Sequence, residues 1–245
     1  MYNLLIAVAA GVVVAVLVRL LGFPLWAGIV PGTLVFVATY VVLARRIAGR
    51  IGALSQVAQK ELSTGASNAR EQKVKVEKAV RTLEEGLRYD KWQFLVASEV
   101  HAQIGMIKYM VKDLEGAETH LTQANARNYM AKAMHGALLF QKRELGRMRQ
   151  AFEAAVRSGK KEGLVWAVYA WCLLQLKEKE DAQKVLARAV KTNPTDEKLK
   201  SALTSVQNDK RLKMKAWEPQ WWQFGLEQPP TPMMGGGRRV QFVRR

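Results

Sequence analysis

Three histidines, one cysteine and a run of three glycines carry most of the chemistry this chain could perform. His101, His120 and His135 are residue types that bind metals or relay protons. None of them stands at a ligand spacing from a carboxylate or thiol. Cys172 is the single cysteine, which excludes an internal disulfide and a cysteine metal cluster. Between Trp171 and Leu173 it reads as a small buried apolar residue. Gly235-Gly236-Gly237 lacks the strand and helix that make a phosphate loop. No nucleophile–base pairing stands out. The chain is expected to be non-enzymatic, with no cofactor and no metal. His101 and His135 fall where a helical core would cover them.

The elements that must position these residues are of two kinds. Hydrophobic residues make up 49% of the 245 positions, and they are unevenly spread. Residues 1–44 contain one charged side chain, Arg19, and the first acidic residue is Glu61. The apolar run from Leu4 to Leu21 is long enough to cross a hydrocarbon core, which needs about 20 helical residues. Gly22-Phe23-Pro24 interrupts it, and a second run extends from Leu25 to Ala44 before Arg45-Arg46. Two such runs joined by a short turn predict a helical hairpin over 1–46. A cleaved signal peptide fits less well, because Met1-Tyr2-Asn3 carries no basic side chain. Pro31 and Gly32 leave open a shortened, re-entrant second helix. Gly11 with Ala15, and Gly28 with Gly32, are spaced for close helix approach.

Arg45, Arg46 and Arg50 flank the second run, and positive flanks stay cytosolic. Both termini and the rest of the chain are then expected on the cytosolic side, with a bacterial inner membrane as the expected site. The net charge of +17 suits nucleic acid, an anionic bilayer or an acidic partner. For a tethered protein the nearest anions are lipid headgroups. No recognised nucleic-acid module is present. Residues 47–69 form a basic amphipathic stretch, with Ile47, Ile51, Leu54, Val57 and Leu62 near helical spacing, and then a small polar linker. This stretch either lies along the lipid surface or prolongs the second helix.

From Val74 onward the pattern is helical, with no alternating strand signal and no proline between residues 32 and 193. It also repeats. Trp166, Tyr169, Ala170 and Leu173 on one helix are followed by Ala182, Leu186 and Ala189 on the next, then Pro194. Moving back 34 residues gives Gly136, Leu139, Phe152 and Ala155. Lys132, Met148 and Lys160 are the departures there. A third copy has Ile104, Gly105, Ala117, Leu121 and Ala124, with its spacing reduced to 31. Ala79, Leu83 and Gly86 suggest the second helix of a degenerate fourth unit. This pattern resembles the tetratricopeptide repeat (TPR) consensus over residues 70–209, with Asp196 to Val206 as a closing helix. The expected architecture is all-α: a transmembrane hairpin, then an α-solenoid of about three repeats and a capping helix.

The resemblance implies a binding platform whose concave face is built from the first helix of each pair. It places Ala102, Met106 and Tyr109 there from the first repeat. The second gives Met130, Ala133, Ala137 and Phe140; the third gives Leu164, Ala167, Trp171 and Leu174. Carboxylate-binding relatives in chaperone adaptors carry Lys, Asn and Arg where this chain has Ala102, Ala133 and Ala167, so a chaperone C-terminus does not fit. An apolar groove of this kind, with methionines and aromatics, suits a helix or extended peptide of an unidentified protein.

Residues 210–245 form a basic tail. Trp217, Trp221, Trp222 and Phe224 make it dense in aromatics, and Pro229-Pro230-Thr231-Pro232 and Arg238, Arg239, Arg244 and Arg245 follow. The aromatic block has three candidate destinations: the protein's own repeats, the membrane interface, or a partner. The sequence therefore points to a membrane-anchored TPR scaffold for protein–protein interaction. A peripheral regulator that binds anionic lipid, and an accessory subunit of a larger membrane complex, are the alternatives.

Overall fold

A computed structural model describes residues 1–65 and 68–228, so the proline-, glycine- and arginine-rich end of the tail lies outside the described residues. The described chain is all-helical. Helix α1 spans Tyr2–Leu20 and α2 spans Leu25–Ser63. Gly22, at φ +91, and Pro24, which caps α2, make the tight turn between them. The two helices pack through backbone. A Cβ on Gly11 would lie 2.7 Å from the Gly32 carbonyl oxygen, and one on Gly28 would lie 2.9 Å from that of Ala15. Only small residues allow that approach.

Pro31 does not shorten the second helix. It sits inside α2, which runs unbroken for 39 residues, about 58 Å. The basic stretch therefore prolongs the second apolar helix as one rod. Both helices are long and apolar enough to cross a membrane, and their apolar side chains point outward: Leu20 is 76% exposed and Trp26 72%.

Past the apolar run, α2 becomes part of the repeat array. Ile47, Ile51 and Ala58 are buried against Ala79, Val80 and Leu83 of α3, Ala69–Glu84. Val96, Val100, Ile104 and Ile107 of α4, Val96–Met110, complete that core. The degenerate fourth unit thus finds its first helix in the end of α2. Ser55 donates to Gln103 Oε1 at 2.7 Å across this junction. Asn68 caps α3 by accepting from the Glu71 amide at 2.8 Å.

Three hairpins follow. The α4 helix pairs with α5 (Leu114–Gln123), α6 (Tyr129–Gln141) with α7 (Leu145–Ser158), and α8 (Gly163–Gln175) with α9 (Lys179–Thr192). The reduced spacing of the first copy has a local cause: α5 has 10 residues where α7 and α9 each have 14. Gly105 and Gly136 let the pairs close. A Cβ on Gly136 would fall 2.8 Å from the Phe152 ring, and one on Gly105 2.8 Å from Leu121. The closing helix is α10, Glu197–Gln207, capped by Asp196.

Each first helix ends the same way. Lys112, Arg143 and Lys177 take positive φ of 64, 63 and 63. The next amide (Asp113, Glu144, Glu178) donates back to the carbonyl of Lys108, Leu139 or Leu173 at 2.9–3.0 Å. This is a Schellman closure with a non-glycine residue in the left-handed position. Asp209 ends α10 identically, with φ 57 and Lys210 donating to Ser205. By its ending, α10 behaves as the first helix of a further pair, and the tail takes the place of the second.

Candidate functional site

The first helices α4, α6 and α8 line the inner face. Ala102, Ala133, Ala137 and Ala167 sit where the helices approach and are fully buried. Their size lets neighbouring helices touch, and their side chains project nothing. The larger residues form the floor and walls: Tyr109, Leu164 and Trp171 are buried, and Met106, Met130, Phe140 and Leu174 are partly buried against the same core. The Phe140 and Trp171 rings meet edge to face at 6.0 Å.

The tail fills this face. After α10 the chain turns back and forms two short 3₁₀ turns, Met214–Trp217 and Gln220–Phe224. Leu212, Met214, Trp217, Trp221 and Phe224 are buried, and Trp222 is half-buried on the rim. Trp221 packs edge to face on Trp171 at 5.3 Å and stacks on Phe224 at 6.3 Å. Polar bonds fix its register. The Tyr109 hydroxyl donates to the Phe224 carbonyl at 2.6 Å and accepts from Gln141 Nε2 at 3.0 Å. Trp221 Nε1 donates to Glu227 at 3.3 Å, and Arg211 also binds that carboxylate at 2.8 Å. Burial holds the Tyr109 hydroxyl in its protonated form. It likewise pushes the Cys172 thiol up, so that cysteine is a packing residue with no thiolate chemistry.

Sequence spacing assigned the groove residues to the first helices and offered the aromatic tail as one cover for them. What covers them is a segment that no helical periodicity connects to them. The burial of Trp217, Trp221 and Phe224 places them in the protein's own groove, and not at a membrane interface.

The histidines are divided. His101 and His120 meet across α4 and α5 with their Nδ1 atoms 2.9 Å apart, which requires one ring to donate and the other to accept. Desolvation, and then His101, hold His120 below the usual histidine range. His135 stands apart, buried on α6, with Nε2 lacking a hydrogen-bond partner among the described residues. Desolvation chiefly, helped by Lys132 and Arg147, lowers it to about 4. Among the described residues no cluster of three or more His, Cys, Asp or Glu could hold a metal. The His101–His120 contact was not legible in the sequence, because their spacing of 19 matters only once α5 folds back on α4.

A family model of the tetratricopeptide repeat matches residues 144–206, from the start of α7 to the end of α10. This stretch of the chain is thereby similar to tetratricopeptide repeats, as the spacing of its small residues implied. The α4–α5 hairpin and α6 extend the same architecture upstream of the matched residues. No curated protein matches the sequence. TPR domains are interaction modules that bind proteins and peptides, and the family is typically non-enzymatic.

A cleft of about 820 Å³ lies between α3 and the α4–α5 turn. Val76, Val80, Met110 and Val111 give it an apolar floor. Lys73, Arg81, Lys108 and Lys112 ring it together with Glu77, Glu84 and Asp113, and Lys108 is paired with Asp113 at 3.3 Å. Arg45, Arg46 and Arg50 are exposed on α2, with Arg50 reaching the Tyr89 hydroxyl at 3.5 Å.

Proposed function

We propose that this protein is a membrane-anchored TPR scaffold, with α1 and α2 spanning the bilayer and the repeats on the cytosolic face. The outward apolar surface of both helices and the three arginines that follow support the anchor and its orientation. The unbroken α2 supports a rigid connection: the first helix of the array is the end of the membrane helix, so the platform is held at a fixed angle to the bilayer. No flexible linker lies between them.

The observation that carries the binding proposal is the cleft between α3 and the α4–α5 turn. Among the described residues the aromatic segment lies against the repeats from α8 to Tyr109, and none of its residues lines this cleft. Tyr109 and Trp171 of the groove then serve the chain's own aromatic segment, and the partner takes the cleft beside α3. The cleft fits a short helix or extended peptide with apolar anchors flanked by acidic side chains, which would meet Lys73, Arg81 and Lys112.

A photo-crosslinking residue placed at Val111 in the full chain, in its own membrane, tests this. The expected result is a discrete adduct that disappears when Val76→Asp or Val80→Asp spoils the floor. Adducts that form only from Trp171 or Phe140 would place the partner in the groove, with the tail displaced, and would overturn the proposal.

A further inference from the structure

The loop between the 3₁₀ turn Glu85–Tyr89 and α4 is built with its polarity reversed. Its polar groups face the protein, and its apolar side chains face outward. The Lys91 carbonyl accepts from the Tyr2 amide at 2.9 Å, and the Trp92 carbonyl accepts from the Asn3 amide at 3.2 Å. These are the first amides of α1, which no helical carbonyl can satisfy. The N-terminal ammonium also donates to Lys91 O. Gln93 bridges both hairpin helices, accepting from Asn3 Nδ2 at 3.0 Å and donating to the Tyr40 hydroxyl at 3.2 Å. Meanwhile Trp92, Phe94 and Leu95 are 40%, 46% and 51% exposed, and Tyr2 packs edge to face on Trp92 at 5.4 Å.

The hairpin register sets the depth of this loop. Gly11 lies against Gly32 and Ala15 against Gly28, and continuing that pairing puts Asn3 level with Tyr40. Tyr40 is about 22 Å along α2 from Leu25, and Arg45 is a further 8 Å or so, in a hydrocarbon core about 30 Å thick. The loop tied to Asn3 and Tyr40 therefore lies on the bilayer side of the arginines. At that level hydrogen bonds made within the protein favour burial of the backbone, and the Lys91 and Trp92 carbonyls and the Trp92 and Gln93 amides have them. Tryptophan and tyrosine are enriched at that boundary, and Trp92 with Tyr2 packed on it supplies both.

We infer that Lys91–Leu95 is a lipid-inserting segment, a second attachment of the repeat domain to the membrane. The occupant of the exposed Trp92-Phe94-Leu95 surface is the lipid interface, with Lys91 reaching up to the headgroups. The inference rests on the reading of α1 and α2 as membrane-spanning. It makes the array lie against the bilayer at its first repeat, clamped between α2 and this loop.

The test uses the full chain in liposomes of mixed zwitterionic and anionic lipid. Phe94→Cys and, separately, Trp92→Cys are labelled with an environment-sensitive nitrobenzoxadiazole dye; Cys172 is buried and does not compete. Val13→Cys, on the exposed face of α1, and Lys198→Cys, on α10, are the references. Spin-labelled lipid carrying its quencher near the headgroup should quench positions 94 and 92 by about twofold or more relative to 198. A quencher deep in the acyl chain should act most strongly at 13. Strong quenching at 13 with none at 94 and 92 would overturn the inference and leave the anchor standing. No quenching at 13 would remove the anchor and the inference together. Labels at 94 and 92 shielded from both lipid and aqueous quenchers would mean a protein contact, which also overturns it.

Discussion

Replacing Trp221 with alanine should release the tail and leave the repeats folded. The Trp221 side chain is 1% exposed, between Trp171 and Phe224, and its indole N–H is satisfied by Glu227. Truncation of a large buried aromatic costs about 3–5 kcal/mol. The tail is a terminal segment, so it can avoid that cavity by undocking, and it then takes its share of the cost with it. The penalty therefore appears locally, as the opening of residues 212–226, while α6 to α9 keep their own core. Three kcal/mol corresponds to more than about 10²-fold in the local opening equilibrium. Amide hydrogen exchange on the full chain in nanodiscs reads it directly. The Trp222 and Gly225 amides, bonded to the Pro219 and Trp222 carbonyls, should lose protection by about that factor. Tyr109→Phe removes only the hydroxyl between Phe224 and Gln141, so its effect should be about 0.5–1.5 kcal/mol, roughly tenfold or less. Unchanged protection at Trp222 and Gly225 in the alanine variant would refute the account, and so would an equal loss throughout α8.

Two further outcomes follow from the core. His135 is held neutral by burial, its value lowered to about 4 against about 6.5 when unfolded. Stability from this residue is complete above pH 6.5 and is lost as pH falls toward about 4, by roughly 2–3 kcal/mol, because the unfolded chain takes up the proton first. His135→Leu should flatten that part of a denaturant-midpoint profile, with part of the remaining slope belonging to His120. Gly136→Ala places a methyl 2.8 Å from the Phe152 ring, itself stacked on Tyr169 at 5.0 Å. Overpacking of about 1–3 kcal/mol outweighs the roughly 1 kcal/mol gained in helix propensity, so a lowered thermal midpoint is expected.

The residues that face inward at helical spacing were legible because burial and periodicity are local properties of the sequence. Ala170, Gly136 and Gly105 recur where helices must approach, and the chain writes them as small residues whatever else surrounds them. The left-handed residues Lys112, Arg143 and Lys177 were legible in principle, since each is a basic residue followed by Asp or Glu at nearly the repeat spacing. Composition hides them, because a glycine would ordinarily mark such a turn.

The covering of the groove was not legible. A 3₁₀ segment has no periodicity to match against helices some fifty residues away, and its aromatics suit self-docking first but also lipid or a partner. Only the folded chain, which returns after α10 and lets Tyr109 meet the Phe224 carbonyl, decides among them. The same holds at the membrane end. The two apolar runs and the Arg45-Arg46 that follow them are one-dimensional facts, and the sequence determined them alone. That α2 continues into the repeats, and that Lys91 and Trp92 cap the first turn of α1, depends on carbonyls and amides far apart in the chain. Long-range hydrogen bonds and close backbone contacts leave almost no mark on composition, so the tertiary structure alone decided them.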